Sequence, residues 1–170
     1  WVVAPDGRIA VVRGETYRVD WIAPNGARTT GPAVPYEKIR ITDADKKAWK
    51  EARSRTGTSI QTRVGGAGGG QTQTQAVNPR DIPDPTDWPE FKPPFVGNAA
   101  TIAPDGTVWV LRTQPAGAKG MLYDIFDGRG QLVGRATLPE RTRLVGFGKG
   151  VAYTVRVDED DLQYLQRYKL

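Results

Sequence analysis

Ala4-Pro5-Asp6-Gly7-Arg8-Ile9-Ala10-Val11 returns 99 residues later as Ala103-Pro104-Asp105-Gly106-Thr107-Val108-Trp109-Val110. Each copy continues in the same order. The first runs on through Thr16 to Ile22, the turn Pro24-Asn25-Gly26 and a segment ending at Pro35. The second runs through Met121 to Phe126, the turn Asp127-Gly128-Arg129-Gly130, and Gln131 to Pro139. Asp-Gly and Asn-Gly between apolar runs are hairpin signals, because Gly and Asn accept positive φ. Each copy therefore reads as four antiparallel strands joined by tight turns. A unit of this kind repeating at about 40–50 residues is the pattern of a propeller blade.

The expected organisation is all-β, an incomplete propeller of four-stranded blades interrupted by a helical and proline-rich insertion. Residues 1–41 form one blade, with strands at 1–4, 8–13, 16–23 and within 27–32, and further alternation from Tyr36 to Ile41. Residues 96–139 form a second, with strands at 99–103, 107–113, 121–126 and 131–138. Residues 140–170 form a partial terminal blade, with strands at 143–147, 151–157 and 162–170.

Residues 42–95 are the insertion. Thr42-Asp43-Ala44-Asp45 is a helix start signal, and a helix is expected over 43–54 with Trp49 as its anchor. A flexible Gly/Gln tract is expected over 57–76, including Gly65-Gly66-Ala67-Gly68-Gly69-Gly70, which no lysine follows as a phosphate-cradling loop would require. A proline-rich linker is expected over 77–95, with Pro79, Pro83, Pro85, Pro89, Pro93 and Pro94 interleaved with Trp88, Phe91 and Phe95.

The β material amounts to about two and a half units, whereas a ring takes about four to eight. Repeat units need neighbours to cover their apolar faces. The sequence opens on Trp1, inside a strand, so the chain is expected to be a fragment of a longer propeller protein or to be completed by other chains. The three-stranded last unit agrees, since rings commonly close by borrowing a strand.

Composition narrows the chemistry. Hydrophobic residues make up 38% and charged residues 25%, the balance of a folded protein rather than a disordered one. Cysteine and histidine are both absent, which removes thiolate and imidazole metal sites and every Ser-His or Cys-His nucleophilic system. The net charge of +5 is spread over every segment, so no nucleic-acid partner is expected. No apolar run is long enough to span a membrane, though peripheral association stays open.

Several of these stretches carry a resemblance. Asp105-Gly106-Thr107-Val108-Trp109-Val110, Tyr123-Asp124-Ile125-Phe126-Asp127, Gly130-Gln131-Leu132-Val133-Gly134 and Leu138-Pro139 resemble the blades of bacterial six-bladed β-propellers of the NHL/TolB-like group. Gly146-Phe147-Gly148, Val151-Ala152-Tyr153, Val157 to Leu162 and Arg167-Tyr168-Lys169-Leu170 resemble the C-terminal end of that group. The resemblance implies an exported protein of the periplasm, cell envelope or exterior. It carries over turn and core residues, and no catalytic role.

The functional expectation is a non-catalytic protein-binding or scaffolding module, with no cofactor, metal or catalytic residue assigned. Trp88, Phe91, Tyr36 and Trp49 are the candidate partner-binding residues, since exposed aromatics anchor interfaces. The alternatives are a hydrolase or lyase using Asp124, Asp127 and Asp158 to Asp161, or calcium-dependent carbohydrate or ligand binding at that last acidic turn.

Overall fold

The computed structural model describes residues 1–55, 58–64, 71–77, 85–115 and 117–170, with side chains described outside 53–84. The chain divides into two compact units, Trp1–Ile39 with Lys92–Leu170, and Arg40–Phe91.

The first unit holds three antiparallel sheets. β1 (Val2–Val3), β2 (Ile9–Arg13), β3 (Arg18–Ile22) and β4 (Arg28–Thr30) form a four-stranded meander in sequence order. The second sheet orders β7 (Phe95–Ile102), β8 (Val108–Arg112), β9 (Met121–Phe126) and β10 (Leu132–Leu138) in the same way. The third has three strands, β11 (Thr142–Gly148), β12 (Val151–Val157) and β13 (Gln163–Lys169). The all-β expectation holds, with sheets of three and four strands and no closed sheet.

The turns are where the repeat placed them. Gly7 and Gly106 have φ of 82° and 84°, a region that a side chain disfavours. In both copies the amide of the residue after Gly bonds back to the aspartate, Arg8 N to Asp6 Oδ1 at 3.1 Å and Thr107 N to Asp105 Oδ1 at 2.9 Å. The apolar alternation then sets the layers. Val108 and Val110 face the first sheet, where Ala10, Val19 and Trp21 meet them. Trp109, between them, faces the third sheet with Tyr123 and stacks edge-on against Phe147 at 5.1 Å. The middle sheet is thus covered on both sides.

The first and second sheets interlock at backbone level. Gly31, just past β4, lies against the carbonyl oxygens of Val19 and Gly130 with no room for a Cβ. Gly130 in turn lies against Val19 O and the Gly31 Cα. Arg8 Nη1 donates to Gly128 O at 2.9 Å, and Trp21 Nε1 to Asp127 O at 3.1 Å.

The second unit contains α1 (Asp43–Arg55) and the hairpin β5 (Thr58–Val64) with β6 (Gln71–Val77). Thr42 caps α1 reciprocally: Asp45 N donates to Thr42 Oγ1 at 3.3 Å, and Thr42 N donates to Asp45 Oδ2 at 2.9 Å. The sequence reading assigned no strand within 57–76, yet β5 and β6 pair over seven residues each. Threonine-rich alternation suits a strand without an apolar face, because the ladder is made by the backbone. The Gly65–Gly70 run and the linker residues 78–84 lie outside the described residues. The alternation from Tyr36 to Ile41 yields no named strand. It gives one bridge, Arg40 to Phe91, flanked in the respective units by Lys92 N to Ile39 O at 2.8 Å and Ile41 N to Glu90 O at 3.0 Å.

Gly31→Ala is expected to cost about 1–3 kcal/mol, because the added methyl meets backbone that cannot yield. Gly97→Ala, where a Cβ meets nothing within 4 Å, is the control and should change stability by no more than about 0.5 kcal/mol. Urea denaturation monitored by tryptophan fluorescence reads both.

Candidate protein interface

Asp124 sits mid-strand in β9, between Tyr123 and Ile125, which face the third sheet. Strand alternation therefore turns its carboxylate towards the first sheet, and it is fully buried. Three donors meet it. Arg112 Nη1 reaches Oδ2 at 2.7 Å, Arg135 Nε reaches Oδ1 at 2.9 Å, and Tyr17 Oη donates to Oδ2 at 2.9 Å. The two arginines belong to the same sheet as Asp124, while the phenol crosses from the first sheet. Burial pushes the Tyr17 hydroxyl well above its ordinary value of 10.0, and the Asp124 charge pushes it further, since a phenolate would face a carboxylate.

Asp20 occupies the same place in the first sheet. Val11 lies opposite Asp20 as Val110 lies opposite Asp124, and Ala10 lies opposite Trp21 as Trp109 lies opposite Ile125. Asp20 also holds two arginines of its own sheet, Arg18 Nε at 2.9 Å and Arg13 Nε at 3.1 Å. Burial alone would raise this carboxyl. The Arg18 and Arg13 hydrogen bonds and charges outweigh that and hold it below the ordinary aspartate value.

The two centres differ in what lies over them. Val108 and Val110 are fully buried, whereas their equivalents Ile9 and Val11 are half-buried. The Arg112 side chain is 11% exposed and that of Arg13 is 47%. A hollow of about 420 Å³, lined by Val12 to Thr16 and Arg18, takes in both arginines that hold Asp20. Among the described residues the donors to Asp20 are Arg13 and Arg18, and no phenol reaches it.

The four aromatic candidates fall in both units, Tyr36 in the first and Trp49, Trp88 and Phe91 in the second. Tyr36 is half-buried and packs edge-on against Tyr17 at 5.9 Å, within the core of the first unit. Trp49 and Trp88 form an edge-on pair at 5.3 Å in the second unit, Trp49 being 39% exposed. Phe91 is half-buried under the Arg40 guanidinium at 5.2 Å. Tyr36 and Phe91 are therefore engaged in packing.

The candidate acids serve turns and ion pairs. Asp127 Oδ1 accepts the Arg129 and Gln131 amides at 2.8 and 2.9 Å, closing the β9–β10 turn. Asp158 Oδ1 accepts the Asp160 and Leu162 amides at 3.0 and 2.9 Å, and Asp161 pairs with Arg141 at 3.0 Å. Among the described residues no three acidic groups converge as a metal site would require.

Sequence reading missed Tyr17, Asp20 and the arginines. One signal was present: Arg13 and Arg112 keep the 99-residue spacing of the repeat. The two aspartates stand 104 apart, displaced by the longer loop before β9. Set against family models, curated proteins and solved structures, the chain finds no match in any of the three.

Two outcomes follow from the buried centre. Asp124→Ala, which strands two arginines, should cost about 3–5 kcal/mol in urea denaturation. Tyr17 supplies stability that is whole below its unfolded pKa, near 10.0, and is lost as pH rises towards its raised folded value. Between about pH 8 and pH 11, the wild type should therefore lose more stability than Tyr17→Phe, which cannot ionise there.

Proposed function

We propose that this chain is a non-catalytic binding or scaffolding module of propeller type, in which outward sheet faces take protein partners. The observation that carries this reading is the equivalence of the two aspartate centres. One face of this design is already an interface between sheets, with Tyr17 on Asp124, and the same design recurs with its apolar residues half-buried at Asp20. The other end of the stack supports it too, since β13 presents Leu165 at 70% exposure. Interface cores are apolar and poor in unpaired charge; Ile9 and Val11 supply apolar surface, and the Asp20 carboxylate is already paired with Arg13 and Arg18.

The propeller reading rests on the two four-stranded meanders, the Asp-Gly turns and the stacked third sheet. The resemblance to bacterial NHL/TolB-like propellers agrees with it and favours the cell envelope as the site of action. The binding-module reading is preferred to a hydrolytic or calcium-dependent one because Asp124, Asp127, Asp158 and Asp161 are already engaged by turn amides and arginines.

A photo-cross-linking residue placed at Val11 in the protein as its own cells make it tests this. A discrete protein adduct is expected at Val11 and not at Asp105, a turn position. Adducts at neither position would overturn the module reading.

A further inference from the structure

We infer that the Asp20 face is covered by a second copy of this chain, whose terminal sheet lies on it head to tail. The inference rests on the binding-module reading and names its partner.

The register of the strands identifies which residues of the third sheet stand in for which of the first and second. Phe147 lies opposite Ala152 and faces the second sheet, as Ile102 lies opposite Val108 and faces the first. Counting along the strands from there, Tyr153 takes the position of Trp109 and Val155 that of Leu111. Leu165, opposite Val155, takes the position of Val19, opposite Val12. Arg167, opposite Tyr153, takes the position of Trp21, opposite Ala10. Gln163 stands two residues before Leu165, as Tyr17 stands two residues before Val19.

These last two assignments supply the donors that the Asp20 face lacks. Tyr17 donates across a sheet interface to Asp124. Gln163, in its place, carries an amide N–H₂ that can donate to Asp20 in the same manner. Trp21 Nε1 donates across the same interface to the carbonyl of Asp127, three residues beyond Asp124. Arg167, in its place, carries guanidinium donors for the carbonyl of Ala23, three residues beyond Asp20. Ala23 and Asp127 are matched turn positions, each accepting a glycine amide, from Gly26 at 2.8 Å and from Gly130 at 3.0 Å. Apolar surface is matched as well: Tyr153, Val155 and Leu165 are left half-buried or exposed on one face, and Ile9, Val11 and Ile22 are half-buried on the other.

Gly26 gives an independent sign of the vacancy. It matches Gly130, with φ of 84° against 77°. A Cβ on Gly130 would strike the backbone of the sheet above it, whereas one on Gly26 meets nothing within 4 Å. Head-to-tail contacts close into rings or run on as filaments. The three stacked sheets of the first unit, taken twice, make six, a number within the usual range of about four to eight for a ring, so the pair is expected to close.

Sedimentation equilibrium of the full chain, over a wide concentration range, tests the inference. The wild type should reach a plateau at twice the single-chain mass of 18.6 kDa. Val11→Lys and Leu165→Lys, one on each face, should each sediment as single chains while keeping the wild-type circular dichroism spectrum. Mixed in equal amounts they should regain a two-chain species weaker than the wild type, because one of its two contacts is intact. A single-chain mass throughout, open-ended growth, or a Leu165→Lys variant that pairs as well as the wild type would overturn the inference. Loss of the spectrum in either lysine variant passes the test to Ile22→Lys and Val155→Lys, read in the same way. A single-chain mass together with a Val11 adduct to a different protein would remove the second copy and leave the module reading standing.

Discussion

A carboxylate with no access to water cannot stand alone, and Asp124 imposes that constraint on the whole three-sheet stack. Its partners come from β8, β10 and the residue just before β3, so they fix two strand registers and one sheet-to-sheet docking at once. A slip of one residue in β9 would turn the charge onto the aromatic face beside Trp109 and strand both arginines. The energetic return of such a buried cluster is small compared with its geometric demand, because the desolvation of three charges offsets much of the attraction. What it supplies is uniqueness. Apolar faces can slide over one another, and a phenol that must meet one oxygen cannot.

The two sheet interfaces solve the packing problem with the same materials in different places. Ala10 lies opposite Trp21 in the first sheet, and Trp109 lies opposite Ile125 in the second. Each face turned towards the next sheet therefore carries one indole from a pair of neighbouring strands. Where the indole comes from β3, its N–H crosses to a turn carbonyl and the backbones close to glycine contact at Gly31 and Gly130. Where it comes from β8, the ring meets Phe147 and the space between sheets is filled by aromatic side chains. A common scaffold thus tolerates a close interface and an aromatic one, provided each has a large side chain in one of two opposed positions.

What was legible in the sequence was punctuation. Asp6-Gly7, Asp105-Gly106 and Asp127 to Gly130 announce turns because the chemistry of a turn is local, and Thr42 announces the start of α1 for the same reason. The strands between those marks follow from their alternation. The β5–β6 hairpin escaped because Gln71-Thr72-Gln73-Thr74-Gln75 has no apolar face to betray it. The role of Asp124 was hidden because its three partners are 12, 11 and 107 residues away, and no spacing rule connects them. The packing of Tyr36 against Tyr17 was hidden for a related reason: only the fold brings the two rings together.

The Asp20 centre shows how a face of this kind can remain uncovered in a lone chain without collapsing. Both of its arginines come from its own sheet, as both arginines of Asp124 do. The charge is therefore neutralised before anything docks, and the carboxyl stays ionised, held below its ordinary range by those two neighbours. Docking then has to add one neutral donor and the apolar cover, the two contributions that Tyr17 and its sheet make at Asp124. A face built this way is stable when bare and selective when covered, because an apolar surface without a correctly placed donor would desolvate an aspartate and leave a lone pair unanswered.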